Sequence, residues 1–184
     1  LVWNSRPISS TQIREAVRAG RMDEASACLG HPFLVQGTVV RGDQRGRVLG
    51  FPTANLSLRP EKIPPDRGVY HARVWGAGGW WTGALNVGFN PTFEGIRPLR
   101  FEVHLLGTPG DLYGAPLWVF PLRRIREERR FTDRDALVRQ MQQDVAEIRR
   151  LRSEEEKDRP FWEALSSLLP PPVPVEVGEG RGQP

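Results

Sequence analysis

The sequence predicts a mainly β fold, an antiparallel barrel or sandwich with a C-terminal helix on its outside. Short apolar runs begin at residue 33, and clusters of Gly and Pro separate them at the spacing of such folds. No helical pattern long enough for a parallel crossover lies between these runs, which argues against a parallel sheet. A chain of 184 residues with 39% hydrophobic residues has room for one domain with appendages.

The first 32 residues predict a short helical hairpin. Ser9, Ser10 or Thr11 can cap the first helix, Gly20 interrupts the pattern, and a second helical segment follows. The first residue is Leu rather than Met, and no strand is predicted before the helix. We therefore expect residues 1–32 to be a linker or the remnant of a preceding module.

Five runs from residue 33 onward have the composition of strands. In one of them Tyr70 and Val74 alternate with His71 and Arg73, which predicts one buried face and one wetter face. The predicted strands are residues 34–40, 69–75, 80–87, 100–106 and 117–122.

Two helices are predicted after the last strand. Thr132 or Asp133 begins the first, whose apolar side chains recur at near-helical spacing and form a stripe that can lie against the barrel. The acidic run 154–156 predicts the start of the second helix, and the Pro- and Gly-rich residues 170–184 are expected to be disordered. The stripe consists of Leu137, Met141, Val145 and Ile148.

The composition excludes several classes of protein. The longest apolar stretches are far shorter than the roughly 20 residues of a membrane-spanning helix. No GxxxxGK[ST] motif occurs, which excludes a P-loop, and only two of the 26 basic residues are lysines, Lys62 and Lys157. The net charge of +4 is compatible with an anionic ligand but does not establish nucleic-acid binding.

The single cysteine, Cys28, cannot form an internal disulfide. No secretory leader opens the chain, so we expect a reducing, cytoplasmic location. We interpret Cys28 as a small residue that packs in a helix rather than as a nucleophile.

Residues 42–55 hold the densest cluster of unusual residues. Glycines at 42, 46 and 50 let the backbone approach an anion closely, so that consecutive N–H groups can bind phosphate oxygens without lysine. Thr53 and Asn55 add the hard oxygen atoms that Mg²⁺ prefers. The simpler alternatives are a β-hairpin with a basic tip and a capped turn.

Glu102 and His104 lie on one face of the predicted strand at residues 100–106. A carboxylate within reach of a substrate hydroxyl can accept its proton during phosphoryl transfer. A solvated strand face is the simpler alternative for both residues. The charge-dense segment 125–131 is either an exposed flap over a planar ligand or a solvated turn with ion pairs.

Taken in order, these segments resemble the riboflavin kinase family, and in particular the C-terminal kinase modules of bacterial bifunctional riboflavin kinase/FMN adenylyltransferases. The resemblance covers about residues 33–151 without a break. The motifs that carry it are GTVVRG at 37–42, GRVLGFPTAN at 46–55, GVY at 68–70, NVG at 86–88 with PTF at 91–93, EVHLL at 102–106, DLYG at 111–114 and IREERRF at 125–131.

The resemblance implies a six-stranded antiparallel Greek-key barrel with a C-terminal helix. It implies a kinase domain at residues 33–152, which follows the helical remnant and precedes an extension at residues 153–184. It also implies transfer of the γ-phosphoryl group of ATP, with Mg²⁺, to the 5′-hydroxyl of riboflavin, which gives FMN and ADP.

The resemblance also implies roles for individual residues. Glu102 would be the catalytic base, and Thr53 and Asn55 would hold Mg²⁺ with the phosphates. Gly107 departs from the family pattern, since many bacterial relatives have Asp there. The residues implied in ATP binding are Gly37, Gly42, Gly46, Arg47, Gly50, Pro52, Thr53 and Asn55, and those implied at the flavin are Arg126, Glu128 and Phe131.

Residues 8–14 resemble a second motif, which ends the FMN adenylyltransferase module. In that motif Ser9, Ser10, Thr11 and Arg14 would contact nucleotide phosphates. The preceding nucleotide-binding fold of the module, with its HxGH element, is missing from this sequence, so we expect no FMN adenylyltransferase activity. Riboflavin and ATP are the expected partners, and neither nucleic acid nor a membrane is expected.

Two other functions stay open. The same barrel can serve as a flavin-binding regulatory module that has lost catalysis, although Glu102 together with Thr53 and Asn55 argues against that loss. Six tryptophans and many arginines are also compatible with a basic barrel that binds single-stranded nucleic acid. Core packing explains tryptophans in strands more simply than base stacking does.

Overall fold

The computed structural model describes residues 2–3, 6–42, 46, 49–58, 63–89, 99–107, 109–131 and 133–172. The strands in these ranges are β1 (Val2–Trp3), β2 (Arg6–Pro7), β3 (Val35–Val40), β4 (Ala54–Leu58), β5 (Gly68–Gly76), β6 (Gly79–Phe89), β7 (Leu99–Leu105) and β8 (Pro116–Arg126). The α-helices that flank and follow them are α1 (Ser10–Arg18), α2 (Met22–Leu29), α3 (Arg134–Glu155) and α4 (Arg159–Ser166), and a 3₁₀ turn, Glu156–Asp158, separates the last two.

Strands β3 to β8 form a closed antiparallel barrel in the order β3-β4-β7-β6-β5-β8. Strands β5, β6 and β7 pair with one another in succession, and β8 returns to pair with β5 on its other side. This arrangement is a Greek key. The predicted fold class, a six-stranded antiparallel barrel with C-terminal helices, is therefore confirmed.

The sixth barrel strand, β4, was not predicted from the pattern. Its segment begins just after Pro52 and Thr53, and the alternative interpretation for these residues was a capped turn. Only Ala54 and Leu56 of β4 are buried in the barrel, while Asn55 between them lies on the outer face. Leu58 also packs against the core, so the strand does alternate, but it is only five residues long and follows directly on Pro52 and Thr53.

The interior of the barrel holds the apolar side chains that alternate along each strand. Tyr70, Leu85, Val103, Leu117 and Val119 are all fully buried there. Because successive side chains of a strand point to opposite faces, the residues between them lie on the outside of the barrel. Helices and loops cover parts of that outer face, and the candidate site lies where α3 covers it.

The expectation that no strand precedes α1 is wrong, since β1 and β2 pair antiparallel just before it. The α1–α2 hairpin packs on the barrel and shares its core. The backbone N–H of Asp66 donates to the carbonyl of Val17 at 3.3 Å. Gly20 adopts a φ of +72°, and a Cβ there would lie 2.6 Å from the hydroxyl of Tyr70. Cys28 is buried in α2, which confirms its interpretation as a packing residue. The hairpin residues in the common core are Ala16, Val17, Met22 and Ala25.

Helix α3 begins where the sequence predicted. Asp133 Oδ1 accepts a hydrogen bond from the backbone N–H of Ala136 at 2.7 Å, as an N-terminal cap does. The prediction that residues 154–156 begin the second helix is wrong, since α3 continues through Glu155. No Gly or Pro interrupts α3, and Pro160 lies in the first turn of α4, where a missing N–H costs nothing.

Helix α4 covers an aromatic face on the outside of the barrel. The ring of Trp162 lies 5.1 Å from that of Trp80 and 5.6 Å from that of Phe120. Trp75 Nε1 donates to the carbonyl of Pro170 at 2.8 Å, so the chain is still held to the barrel after α4 ends. Of the segment expected to be disordered, residues 173–184 lie outside the described residues.

Within the described ranges, no helix combines the length and the apolar character that crossing a lipid bilayer requires.

Candidate active site

The candidate site is built on the outer face of the barrel, where β4, β7 and β6 run side by side. Glu102 on β7 lies directly opposite Asn55 on β4 and directly opposite Asn86 on β6. Directly opposite residues of antiparallel strands share a face, with Cβ atoms about 4.5–5.5 Å apart. Asn55, Glu102 and Asn86 therefore form a continuous line across three strands, which we call the polar row.

A cavity of about 320 Å³ lies above the polar row, in the size range of small-molecule sites. Its walls come from the glycine-rich segment before β4, from the end of β8 and the residues after it, and from the barrel-facing side of α3. The sequence-predicted site residues that line it are Gly46, Thr53, Asn55, Glu102, Arg126, Glu128 and Phe131.

Three glycines predicted for ATP binding, Gly37, Gly42 and Gly50, are not among the residues that line the cavity. Gly42 leaves room for the amide of Asn55, because a Cβ at this position would collide with it. Gly50 has a φ of +83°, which a turn with glycine accommodates. Gly37 lies in β3, where a Cβ would come within 3.0 Å of the Ser57 carbonyl. Arg47 lies outside the described residues.

The predicted nucleotide motif at the start of the chain caps α1 and does not line the cavity. Ser9 Oγ accepts a hydrogen bond from the backbone N–H of Gln12 at 3.2 Å, which confirms the predicted cap. Arg14 Nη1 donates to Ser10 Oγ at 3.4 Å. A phosphate-binding role for this motif, Thr11 included, stays a prediction.

Glu102 is partly accessible from the cavity, with 21% of its side chain exposed. Arg100, two residues earlier on the same face of β7, donates from Nη1 to Glu102 Oε1 at 3.0 Å. This ion pair restricts the orientation of the carboxylate. A carboxylate oriented in this way is suited to accept a proton.

His104 fixes the segment that leads into β4. Its Nδ1 lies 2.8 Å from the carbonyl oxygen of Pro52. Because a carbonyl can only accept, Nδ1 carries the hydrogen of this bond. The imidazole also packs edge-on against the ring of Phe51, with centroids 5.6 Å apart. His104 thus holds the backbone just before Thr53. The alternative that His104 is only a solvated residue on a strand face is therefore wrong.

Arg126 reaches from the end of β8 to α3. Its Nε and Nη2 donate to the two carboxylate oxygens of Asp144 at 2.9 and 2.8 Å, and Gln140 donates to the same carboxylate at 2.9 Å. The guanidinium carbon lies 5.8 Å from the centre of the Phe131 ring. The partner Asp144 was not predicted, and a direct flavin contact for Arg126 stays a prediction.

Glu128 attaches the segment after β8 to the end of β6. Its Oε1 accepts from the backbone N–H of Phe89 at 3.3 Å, and its Oε2 lies 3.6 Å from Arg67 Nη1. A Cβ at Gly88 would collide with the carboxylate. The glycine is therefore needed for Glu128 to reach the strand.

The sequence missed the contribution of α3 and β6 to the cavity. The apolar stripe of α3 was predicted to pack on the barrel, but not to form a wall of the site. Asn86 belongs to the NVG motif of the family resemblance, but no role was predicted for it, and Asp144 carried no signal, because a single polar residue on a helix is common. The lining residues without a predicted role in the site include Ala84, Asn86, Arg100, Leu137, Met141 and Asp144.

Comparisons with known proteins agree with the fold. The sequence model of the family described as "Flavokinase: Riboflavin kinase" matches residues 29–152. The bifunctional riboflavin kinase/FMN adenylyltransferase of Escherichia coli (strain K12) is 44% identical over 138 residues, which are 74% of this chain and 44% of that protein. The chain thus spans less than half the length of this relative.

Two solved structures share the fold. Riboflavin kinase from Trypanosoma brucei superposes with a TM-score of 0.56 and 25% identity, over 79% of this chain and 94% of that one. A protein from Streptococcus pneumoniae described as a macrolide-efflux protein gives a TM-score of 0.76 and 38% identity, over 81% of this chain and 49% of that one. Since the family match covers well over half of its residues, the chain belongs to the riboflavin kinase family.

Proposed function

We propose that this chain catalyses transfer of the γ-phosphoryl group of ATP to the 5′-hydroxyl of riboflavin, with FMN and ADP as products. The observation that carries this proposal is the polar row, in which a carboxylate lies between two amides at the floor of one cavity. Phosphoryl transfer depends mainly on positioning and on compensation of charge, and one base and a few polar groups can provide both.

Glu102 is the proposed base. As the 5′-oxygen of riboflavin bonds to the γ-phosphorus, the hydroxyl proton passes to the carboxylate of Glu102. The bond from the γ-phosphorus to the bridging oxygen breaks, and its electron pair leaves with ADP. Arg100 keeps Oε1 in place during this step through the 3.0 Å hydrogen bond.

The residues on the β4 side of Glu102 suit Mg²⁺ and phosphate. Among the described residues, no group of three or more His, Cys, Asp or Glu side chains could hold a metal ion. A cation here would therefore rely on the neutral oxygens of Thr53 and Asn55 and on oxygens of ATP, a donor set that Mg²⁺ accepts. When bound, Mg²⁺ would neutralise negative charge on the phosphates. Gly46 brings backbone close to Thr53.

The opposite part of the cavity suits a flat apolar ring. Leu137, Met141 and Val145 of α3 line the cavity, and so does Phe131. A flavin ring in contact with these side chains would direct its polyol chain toward Glu102. Arg126 and Glu128 hold the segment that borders this region.

A specific observation counts against nucleic-acid binding. Trp75, Trp118 and Trp162 belong to a buried aromatic cluster beneath and within α4. Rings that are packed against one another cannot stack on successive bases.

The joint presence of Thr53, Asn55 and Glu102 in one cavity favours a catalytic domain over a flavin-binding module that has lost catalysis. The E. coli relative is also named an FMN adenylyltransferase, but we assign only the kinase reaction to the residues that match the family.

The direct test incubates the chain with riboflavin, ATP and Mg²⁺ and separates the flavins by chromatography. We expect FMN and ADP in equal amounts, and neither product without ATP or in excess chelator. A folded chain that binds riboflavin but forms no FMN would contradict the proposal and favour the silent module.

A further inference from the structure

Asn86 is the member of the polar row without an assigned role. It lies on the outer face of β6, directly opposite Glu102 on one side and Val69 on the other. It lines the cavity and is partly exposed to it. Ala84, Gly88 and Phe89 are the other lining residues of β6, so Asn86 contributes the polar side chain of this strand to the cavity.

The position of Asn86 relative to Glu102 indicates which part of a ligand it meets. Asn55, on the β4 side, adjoins Thr53 and the glycine-rich segment, where we place the phosphates. Asn86 lies on the other side of the base, three residues before Phe89, whose N–H bonds Glu128. The row therefore leads from the phosphate region through the base toward the proposed flavin region.

On this basis we propose that Asn86 binds the polyol chain of the flavin and thereby orients its terminal hydroxyl toward Glu102. The inference rests on the proposed function, since it takes riboflavin as the acceptor. A carboxamide both donates and accepts hydrogen bonds, and so does each hydroxyl of a polyol. The amide is also neutral, whereas a carboxylate here would repel Glu102 and the phosphates, and an ammonium would pair with the base.

The test compares two flavins that share the ring but differ in the chain. Riboflavin carries the polyol, and lumiflavin carries a methyl group in its place. We expect wild-type protein to bind riboflavin more tightly than lumiflavin, and Asn86→Leu to lose about tenfold in riboflavin affinity while its lumiflavin affinity is unchanged. The Kd of each flavin is read from quenching of flavin fluorescence, and the KM for ATP should stay at the wild-type value.

Two further variants keep the test decisive. Asn86→Ala adds no bulk to β6 and must show the same selective loss, with circular dichroism confirming the fold. Gln143→Leu removes an exposed amide of α3 outside the cavity and should change neither affinity.

The inference is overturned if the Asn86 variants lose riboflavin and lumiflavin affinity equally, or if wild-type protein shows no preference for riboflavin. Failure of the proposed function gives a different result. Wild-type protein that keeps the selective, Asn86-dependent preference for riboflavin but forms no FMN would support the polyol contact while rejecting the kinase reaction.

Discussion

Arg126 and Asp144 form a bidentate ion pair that joins the end of β8 to the middle of α3. The donor–acceptor distances are 2.9 Å from Nε to Oδ1 and 2.8 Å from Nη2 to Oδ2. The two side chains are only 14% and 8% exposed. Since α3 forms one wall of the cavity, this pair helps to fix the width of the site.

Removal of Asp144 should destabilise the protein strongly, because it leaves the Arg126 guanidinium buried without its counterion. We expect Asp144→Ala to lower the free energy of unfolding by about 3–5 kcal/mol, as measured by urea denaturation. Glu147→Ala is the matched control on the same helix, since it breaks an exposed pair with Arg150. Similar losses in the two variants would show that the buried pair has no special role.

Asn55 should affect the Mg²⁺ dependence of the reaction rather than flavin binding. We expect Asn55→Ala to shift the Mg²⁺ titration of FMN formation several-fold toward higher concentration, because one neutral oxygen ligand is lost. Ser57→Ala, on the same exposed face of β4, should leave the titration unchanged. Superimposable titrations for wild type and Asn55→Ala would remove this residue from the metal site.

Much of the fold could be predicted because apolar side chains alternate along most of the barrel strands. Tyr70, Ala72 and Val74 all point into the core, as their spacing indicated. The wetter face predicted for the same strand is wrong at His71, which is only 3% exposed, because the outer face of β5 is covered as well. Strand β4 was not recognised because it is only five residues long and follows directly on Pro52 and Thr53, which were interpreted as part of a turn. The order of the strands depends on contacts between distant segments, and the family resemblance indicated it where periodicity could not.

A candidate site residue could be singled out from the sequence where it was unusual for its surroundings, and its role stays a prediction. Glu102 is such a residue, because it is the acidic residue of its strand, where Arg100 and His104 are the other polar residues. Asp144 could not be found in the same way, since α3 also carries other charged residues, among them Glu147 and Arg150. Only the fold distinguishes Asp144 from these neighbours, because it places that carboxylate against Arg126.

The aromatic face beneath α4 should contribute strongly to stability. Trp162 is 5% exposed and contacts Trp80 and Phe120, whereas its neighbour Phe161 is 43% exposed. We expect Trp162→Ala to lower the free energy of unfolding by about 3–5 kcal/mol and Phe161→Ala to lower it by much less. Denaturant unfolding of both variants measures the difference. Equal effects would mean that α4 does not pack on the barrel as described.

Tyr70 should make stability fall at high pH. Its hydroxyl donates to the carbonyl of Asp66 at 2.6 Å, and burial raises its pKa to about 12, Arg124 opposing the shift and Asp66 adding to it. The unfolded phenol has a pKa of about 10. Between these values the unfolded chain releases the proton and the folded chain keeps it, so stability is fully present below pH 10 and declines toward pH 12.

The decline can be isolated with Tyr70→Phe, which has no proton to lose. We expect wild type to exceed this variant in free energy of unfolding by about 1 kcal/mol near pH 8. As the pH rises to 12, the free energy of unfolding of wild type should fall by roughly 2 kcal/mol relative to that of the variant. A difference that stays constant with pH would show that Tyr70 does not titrate on unfolding.

The central claim is that Glu102 accepts the proton of the riboflavin 5′-hydroxyl. The measurement that tests it most directly follows FMN formation by wild type and Glu102→Gln side by side, together with riboflavin binding by both. We expect the variant to bind riboflavin as wild type does and to form FMN about 10² to 10⁴ times more slowly. Equal rates of FMN formation would contradict the assignment of Glu102 as the base.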